Sequence, residues 1–422
     1  MVLNYKFKNF MSFRENVEFS MLAPKSKVKN RFPDNFISVD TGAEVLKTAV
    51  IVGENAGGKS NFVRSLEFLK MYFTDNERVR TYKSMININN IKKDCPKEDD
   101  TKLSYEIEIL VSEGIYYLYC LETDFLGVVN EKLCYKTQYK QKYRQVLSAT
   151  RVECEWNCQN DNEDCKCREN HKDISVKYKL EINEFESEIK EQFEKTSENQ
   201  KNYGLFISKL ALLGSEHAIR FTEYMKNCLC PETNVINYDI YKSMQAEEED
   251  LSILKDSRYL EIFRMIDYSI VDLKLDDEKP FSKTLVVRKR ADGTEFVREL
   301  ASDSSGVREF FAWAVQIFKV VYENKVIFAD EMDRVLNPVL SDRVISFICG
   351  KEHNGQFVFT THNVLHLDLK NYMKEQIYFI TKDIENLESE MYSLADFPEI
   401  RYETTKIYEF YMKGILGGTA VE

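Results

Sequence analysis

Hydrophobic and polar residues alternate from the start of the chain. Leu3-Asn4-Tyr5-Lys6-Phe7-Lys8-Asn9-Phe10 predicts a strand, and after the turn Met11-Ser12-Phe13 a second strand runs through Val17, Phe19 and Met21. Ala49-Val50-Ile51-Val52 has no polar positions and predicts a buried strand. Beyond it Phe62, Leu66 and Leu69 recur at helical spacing, with Val63 and Phe68 widening the stripe. Leu103 to Leu110 and Ile115 to Leu121 flank Val111-Ser112-Glu113-Gly114 as a hairpin, and Val128 to Tyr135 predicts another strand.

From residue 145 to about 260 the period changes. Ile182, Phe185, Ile189 and Phe193 fall three and four apart on an acidic background and predict an amphipathic helix ending near Asn202-Tyr203-Gly204. Further helical stretches are expected around Leu205 to Leu213, Ala218 to Asn227 and Leu260 to Ile266; sustained heptads are missing, so a long coiled-coil arm is not expected. Strand character returns at Ile270 to Leu275 and Leu285 to Lys289. Lys325 to Glu331, Phe357 to His362 and Gln376 to Ile380 then alternate with helical pattern such as Glu309 to Tyr322. This alternation predicts a largely parallel sheet. The expected organisation is two halves of one α/β domain, residues 1–144 and 261–422, with a mainly helical module, 145–260, inserted between them.

Composition narrows the class. With 422 residues, 43% hydrophobic and 30% charged, and only 7 Pro and 15 Gly, the chain has the make-up of a globular protein with a substantial core. A formal charge of −12 gives no overall attraction to nucleic acid. No apolar run approaches the ~18 residues of a membrane span and no signal peptide is evident, so the cytoplasm is the expected location. Two local features have alternative readings. The basic stretch 24–38 suits phosphate contact or, more simply, a solvated loop; Lys136 to Arg144 mixes basic residues with Tyr139 and Tyr143, as a nucleic-acid groove or one outward strand face would.

The chemistry begins where the first buried strand ends. Gly53-Glu54-Asn55-Ala56-Gly57-Gly58-Lys59-Ser60 satisfies G-x-x-x-x-G-K-[ST] at every fixed position, between a strand and a helix that continues through Asn61. Glycines let backbone N–H groups close round a phosphate, the helix points its positive end at the same oxygens, Lys59 adds a point charge and the Ser60 hydroxyl is a Mg²⁺ ligand. A nucleoside triphosphate is the implied ligand. A second buried strand ends in Asp330-Glu331, which suits a Walker B pair: Asp330 to hold Mg²⁺ through water, Glu331 to orient or deprotonate the attacking water. His362, ending another strand, is placed to donate to the γ-phosphate, although a lone His at a strand end also has ordinary structural uses. Cys154, Cys158, Cys165, Cys167 and His171 supply enough ligands for a structural Zn²⁺, but at irregular spacing that reduced surface thiols would also show. Cys228-Leu229-Cys230 is a further pair.

Ser304-Ser305-Gly306-Val307-Arg308 opens a helix shortly before Asp330-Glu331, and Thr361-His362 follows. With the loop at 53–60 and Asn9-Phe10-Met11-Ser12-Phe13 at the start, this order resembles ABC-type ATPase heads such as those of RecF, SMC proteins and OLD-family nucleases. Within that group the chain is similar to RloA-like or AbiLi-type ATPases of phage-defence operons, including the ATPase subunit of PARIS-type systems. The residues that carry this are Asp303 to Gly306, Asp330-Glu331-Met332-Asp333 with Leu336-Asn337-Pro338, Phe359 to His362, Tyr392 to Phe397 and Tyr411 to Gly418. The resemblance covers both ends of the chain and leaves the middle uncovered.

It implies an α/β P-loop NTPase of ABC-head type, with an N-terminal antiparallel β subdomain and the inserted helical module. It implies ATP and Mg²⁺ as cofactors, held between the P-loop of one protomer and Ser304, Ser305 and Gly306 of another, with Asp333 in the loop crossing that interface. Homo-oligomers assembled by ATP would follow. Asn337 stands where these families often show His, and a Q-loop glutamine is not evident between the first helix and the hairpin, so hydrolysis is expected to be slow or conditional. No acidic cluster of a nuclease follows His362. The expected function is a sensor and scaffold in abortive, toxin-antitoxin-like antiviral defence, controlling a toxic effector, a nuclease, from an adjacent gene in response to a phage protein or DNA. Two other readings stand beside it. One is a RecF- or SMC-like DNA-repair ATPase, against which the negative charge counts; the other is a transporter-coupled ABC subunit, against which the insertion counts.

Overall fold

The computed structural model describes residues 1–75, 79, 84–91, 101–155, 175–183, 187–197, 204–232, 248–332, 338–364, 367, 369–402 and 407–416. Strands β1 (Val2–Lys8) and β2 (Val17–Ser20) form as their alternation predicts, and β1 also pairs with β6 (Leu103–Leu110). Strands β7 (Tyr116–Asp124), β8 (Gly127–Lys136), β9 (Arg144–Glu155) and β10 (Ser175–Ile182) extend this antiparallel sheet in the order β10-β9-β8-β7-β6-β1-β2. Strands β3 (Phe36–Ser38) and β4 (Glu44–Leu46) form a small separate hairpin.

The second large sheet contains β5 (Thr48–Gly53), β11 (Leu229–Glu232), β15 (Val326–Ala329), β16 (Gln356–Thr361), β17 (Ile377–Lys382) and β18 (Ser389–Ser393), in the order β11-β15-β16-β5-β17-β18. All neighbours are parallel except β17 and β18. Every residue of β5, β15 and β16 is buried, as strands covered on both faces require. The period of two sorts their side chains between two cores: Ala49 and Ile51 face one, Val50 and Val52 the other. The first core holds helix α1 (Lys59–Thr74), whose Phe62 packs on Tyr5 and Phe19 of the antiparallel sheet and on Phe328 of the parallel one, with ring centroids 6.2, 5.4 and 6.2 Å away. The second core holds helix Ser305–Glu323, with Trp313 nearly fully buried, and helix Pro338–Gly350. A three-stranded sheet, β12 (Ile270–Lys274), β13 (Leu285–Lys289) and β14 (Glu295–Glu299), precedes it in the chain.

Two buried glutamines join the layers. Gln356 of β16 accepts from the Val2 N–H (2.6 Å) and donates to the carbonyls of Val2 (2.9 Å) and Leu46 (3.1 Å). Gln376 donates to the Thr48 carbonyl (3.0 Å) and accepts from Asn35 (2.9 Å). Each satisfies backbone groups that strand edges would otherwise bury unpaired.

The inserted module differs from the sequence expectation. No break falls at 144/145, because β9 and β10 continue the antiparallel sheet; Ile182 ends β10, and the helix that was expected to include it begins at Ser187. The helical part comprises Ser187–Ser197, Phe206–Leu212, Glu216–Glu223, Glu248–Lys255 and Ser257–Phe263. Between these helices the chain returns to the parallel sheet as β11, beside β15. In the sequence β10 alternates at period two through Val176, Tyr178, Leu180 and Ile182, but Ile182 also falls at helical spacing with Phe185, Ile189 and Phe193; β11 spans only four residues. Buried Glu131 of β8 fastens the helical part to the sheet by accepting from the N–H groups of Phe206 (2.7 Å) and Ile207 (3.0 Å) and the Tyr119 hydroxyl (3.0 Å). Burial pushes its carboxyl up to about 7 against those stabilising hydrogen bonds. In the basic stretch, Lys136 is buried over the rings of Tyr116, Tyr139 and Tyr143, at 5.3, 5.0 and 4.3 Å, and pairs with Glu108 at 3.2 Å. Lys136 and both tyrosines of that stretch are thus occupied in packing, while Lys140, Lys142 and Arg144 remain exposed. Among the described residues no helix is long and apolar enough to cross a membrane.

Candidate nucleotide site

The parallel strands end along one edge, where ligands of such sheets bind. Strand β5 runs into Gly53, and a side chain there would collide with the Ile380 carbonyl of β17. Ala56 (φ 61°) and Gly58 (φ 118°) take left-handed conformations that curl the loop before α1. At Gly58 a Cβ would lie 2.5 Å from Ser389 Oγ and 3.0 Å from Ser12 Oγ, so position 58 has room only for glycine. Gly58 is also the N-cap of α1 and offers no side-chain cap, as a helix start that receives an anion does. Lys59 is buried and its ammonium donates to the carbonyls of Gly53 and Glu54, both at 2.8 Å, which holds the charge at the centre of the loop. Ser60 is half-exposed at the mouth, Glu54 is half-exposed, and Asn55 and Ala56 are exposed.

Residues distant in sequence brace the loop from behind. Ser389 Oγ donates to the Gly57 carbonyl (2.6 Å), the Ser389 N–H donates to the Ser12 carbonyl (2.7 Å), and Asn61 donates to Ser12 Oγ (2.8 Å). Ser12 lies in the turn that the sequence had singled out. Ser389, 332 residues from Gly57, carried no local signal. The C-terminal helix Ile407–Met412 stands nearby: burial pushes the Tyr411 hydroxyl up to about 12, and the Glu54 carboxylate adds to the effect.

The acidic pair stands on the same edge. Strand β16 separates β15 from β5, with Ala329 level with Phe359 and Thr361 level with Val52. Asp330 is buried, and its Oδ1 accepts from the Thr360 hydroxyl at 2.7 Å. Glu331 is half-exposed, with its backbone in the left-handed region (φ 50°). His362 is exposed just past the end of β16. The fold therefore brings Gly53 to Asn61, Asp330, Glu331 and His362 to one sheet edge.

Ser304, Ser305 and Gly306 stand on another element. Ser304 caps helix Ser305–Glu323 by accepting from the Val307 N–H (3.4 Å), while its own N–H donates to Asp303 (2.9 Å). Arg288 of β13 pairs with Asp303 at 2.7 Å and with Asp267 at 2.8 Å, anchoring this helix end to the three-stranded sheet. Ser304 and Ser305 are exposed. Asp333 and the zinc candidates Cys158, Cys165, Cys167 and His171 lie outside the described residues, as does the side chain of Cys154. Cys228 and Cys230 flank Leu229 at the start of β11, and no group of three or more Cys, His, Asp or Glu side chains suited to a metal ion occurs among the described residues.

The uncapped helix end, the glycine cradle, the Lys59 ammonium, the Ser60 hydroxyl and the Asp330 carboxylate together fit a Mg²⁺–nucleoside triphosphate. With its parallel sheet, its Gly-rich loop between β5 and α1, its acid-ended strand β15 and its antiparallel sheet packed over α1, the chain has an α/β fold of the P-loop type. A family model described as "AAA domain, putative AbiEii toxin, Type IV TA system" matches residues 161–368, a stretch that contains the acidic pair and leaves out the P-loop. Among solved structures the chain is similar to an SmcHead bound to the C-winged helix domain of ScpA, with a TM-score of 0.49, 13% identity, and coverage of 93% of this chain and 97% of that one. It is also similar to the SMC head domain from Thermotoga maritima (TM-score 0.42, 12% identity, 93% and 98% covered). A third is an Smc head domain with an extended coiled coil bound to the C-terminal domain of ScpA derived from Pyrococcus furiosus (TM-score 0.42, 16% identity, 93% and 96% covered). No curated protein sequence matches the chain.

Proposed function

We propose that the chain hydrolyses ATP and uses the nucleotide to assemble with further copies of itself, as a sensor and scaffold controlling a separate toxic effector in antiviral defence. The observation that carries the reading is the meeting of Lys59, Ser60, Asp330, Glu331 and His362 at one sheet edge. In this reading Lys59 and the α1 N-terminus bind the phosphates, and Ser60 and Asp330 are the protein's ligands toward Mg²⁺, which when bound neutralises charge on the phosphate oxygens. Glu331 orients the attacking water and takes its proton, and His362 donates to a γ-phosphate oxygen. Ser304, Ser305 and Gly306 of a second copy close the site with backbone N–H groups, and Asp333 lies in the crossing loop. The toxin and type IV TA wording of the matching family model supports a link to toxin–antitoxin defence, and a separate nuclease from an adjacent gene as the toxic effector is the reading we adopt. A DNA-repair role is less well supported, since the net charge is −12 and Lys136, the buried basic residue of the 136–144 stretch, is engaged in packing.

Glu331→Gln tests the reading. The variant is expected to bind ATP within about threefold of wild type, to lose at least ~100-fold in kcat, and to remain assembled in Mg²⁺–ATP by light scattering. Wild-type turnover in this variant removes Glu331 from the role. An unchanged monomer mass for both proteins in ATP removes the assembly.

A further inference from the structure

Thr360 lies inside β16, completely buried, one strand away from the P-loop strand and one from the acidic pair. Its hydroxyl has one proton and spends it on Asp330 Oδ1 at 2.7 Å; a lone pair of the same oxygen accepts from the Glu331 N–H at 2.9 Å. One side chain therefore holds both acids. Glu331 needs such a hold, because its left-handed backbone (φ 50°) is unfavourable for a non-glycine residue. Asp330 has its Oδ1 committed to the Thr360 hydroxyl, which fixes the plane of the carboxylate.

We infer that Thr360 is a positioning residue for hydrolysis, fixing the Glu331 backbone in the turn that presents its carboxylate and orienting Asp330 at the same time. The inference rests on Glu331 acting as the base. It differs from a packing role in a way that two substitutions separate. Thr360→Val preserves shape and volume and removes both hydrogen bonds, whereas Thr360→Ser preserves both hydrogen bonds and removes a methyl group. A packing role makes serine the worse variant; positioning makes valine the worse one.

The measurements are kcat and KM for ATP hydrolysis and the affinity for a fluorescent ATP analogue. For Thr360→Val the expected result is a kcat reduced roughly 30- to 100-fold, with KM and analogue affinity within about threefold of wild type. Thr360→Ser is expected to keep kcat within about threefold. A valine variant at wild-type kcat, or a serine variant as impaired as valine, overturns the inference. If the valine protein does not fold, Thr360→Cys, of similar size with a weak S–H donor, should lose about tenfold in kcat, and wild-type turnover there overturns it equally. Failure of the underlying reading is distinguishable: active Glu331→Gln removes the base itself, whereas inactive Glu331→Gln beside a fully active Thr360→Val removes only the role of Thr360.

Discussion

The P-loop and the Ser304–Gly306 helix end are both backbone N–H sites at the start of a helix, and they are built in opposite ways. The loop is walled in: Gly53 lies against Ile380, Gly58 lies against Ser12 and Ser389, and the Lys59 side chain is folded back onto the Gly53 and Glu54 carbonyls. The second helix end is exposed, steadied from behind by the Asp303–Arg288 pair, and capped by its own Ser304. A walled cradle fixes its ligand's position within one protomer. An exposed helix end, carried on a different sheet, suits a ligand that arrives on another molecule. This difference is what the proposed site shared between two copies requires of segments about 250 residues apart.

Three substitutions sharpen this contrast. Lys59→Ala should have the largest effect, lowering ATP affinity by ~100-fold or more, since it removes a charge held among the phosphate-binding groups; calorimetry that finds wild-type affinity would show the cradle has been misread. Ser305→Arg should leave ATP affinity within about threefold, abolish ATP-dependent assembly in light scattering, and reduce kcat roughly tenfold or more through loss of the second wall. A drop in affinity as large as that of Lys59→Ala would instead put Ser305 in the same half-site as the loop. The smallest effect is expected from Ser389→Ala, which leaves the buried Gly57 carbonyl without that partner and should cost ~1–3 kcal/mol by denaturant titration. Its ATP affinity should fall less than tenfold, because the loop is braced from Ser12 as well.

The chain's local chemistry was readable without coordinates wherever neighbouring residues do the work. Gly53 to Ser60, the strand before it and the helix after it need only short-range geometry, and Asp330-Glu331 needs only a buried strand that stops. The parallel sheet followed from the alternation of buried runs and helical stripes, and the β6–β7 hairpin from its turn. By contrast, the helical spacing of Ile182 with Phe185, Ile189 and Phe193 competes with the period-two alternation of β10, and β11 is too short to register against its surroundings.

What only the tertiary structure decided is the set of contacts that cross the chain. Ser12 and Ser389 behind Gly58, Gln356 between the two sheets, Glu131 under the inserted helices and Thr360 across Asp330 and Glu331 are ordinary polar residues in sequence. Their roles come from burial. A hydroxyl, amide or carboxyl sealed away from water must find partners, and the identity of those partners is set by which distant strands the cores bring side by side. The sequence by itself determined that a phosphate cradle and an acidic pair exist, because those depend on residues in succession. Their mutual placement, and the polar braces that hold it, depend on packing between elements up to about 350 residues apart, which no local pattern encodes.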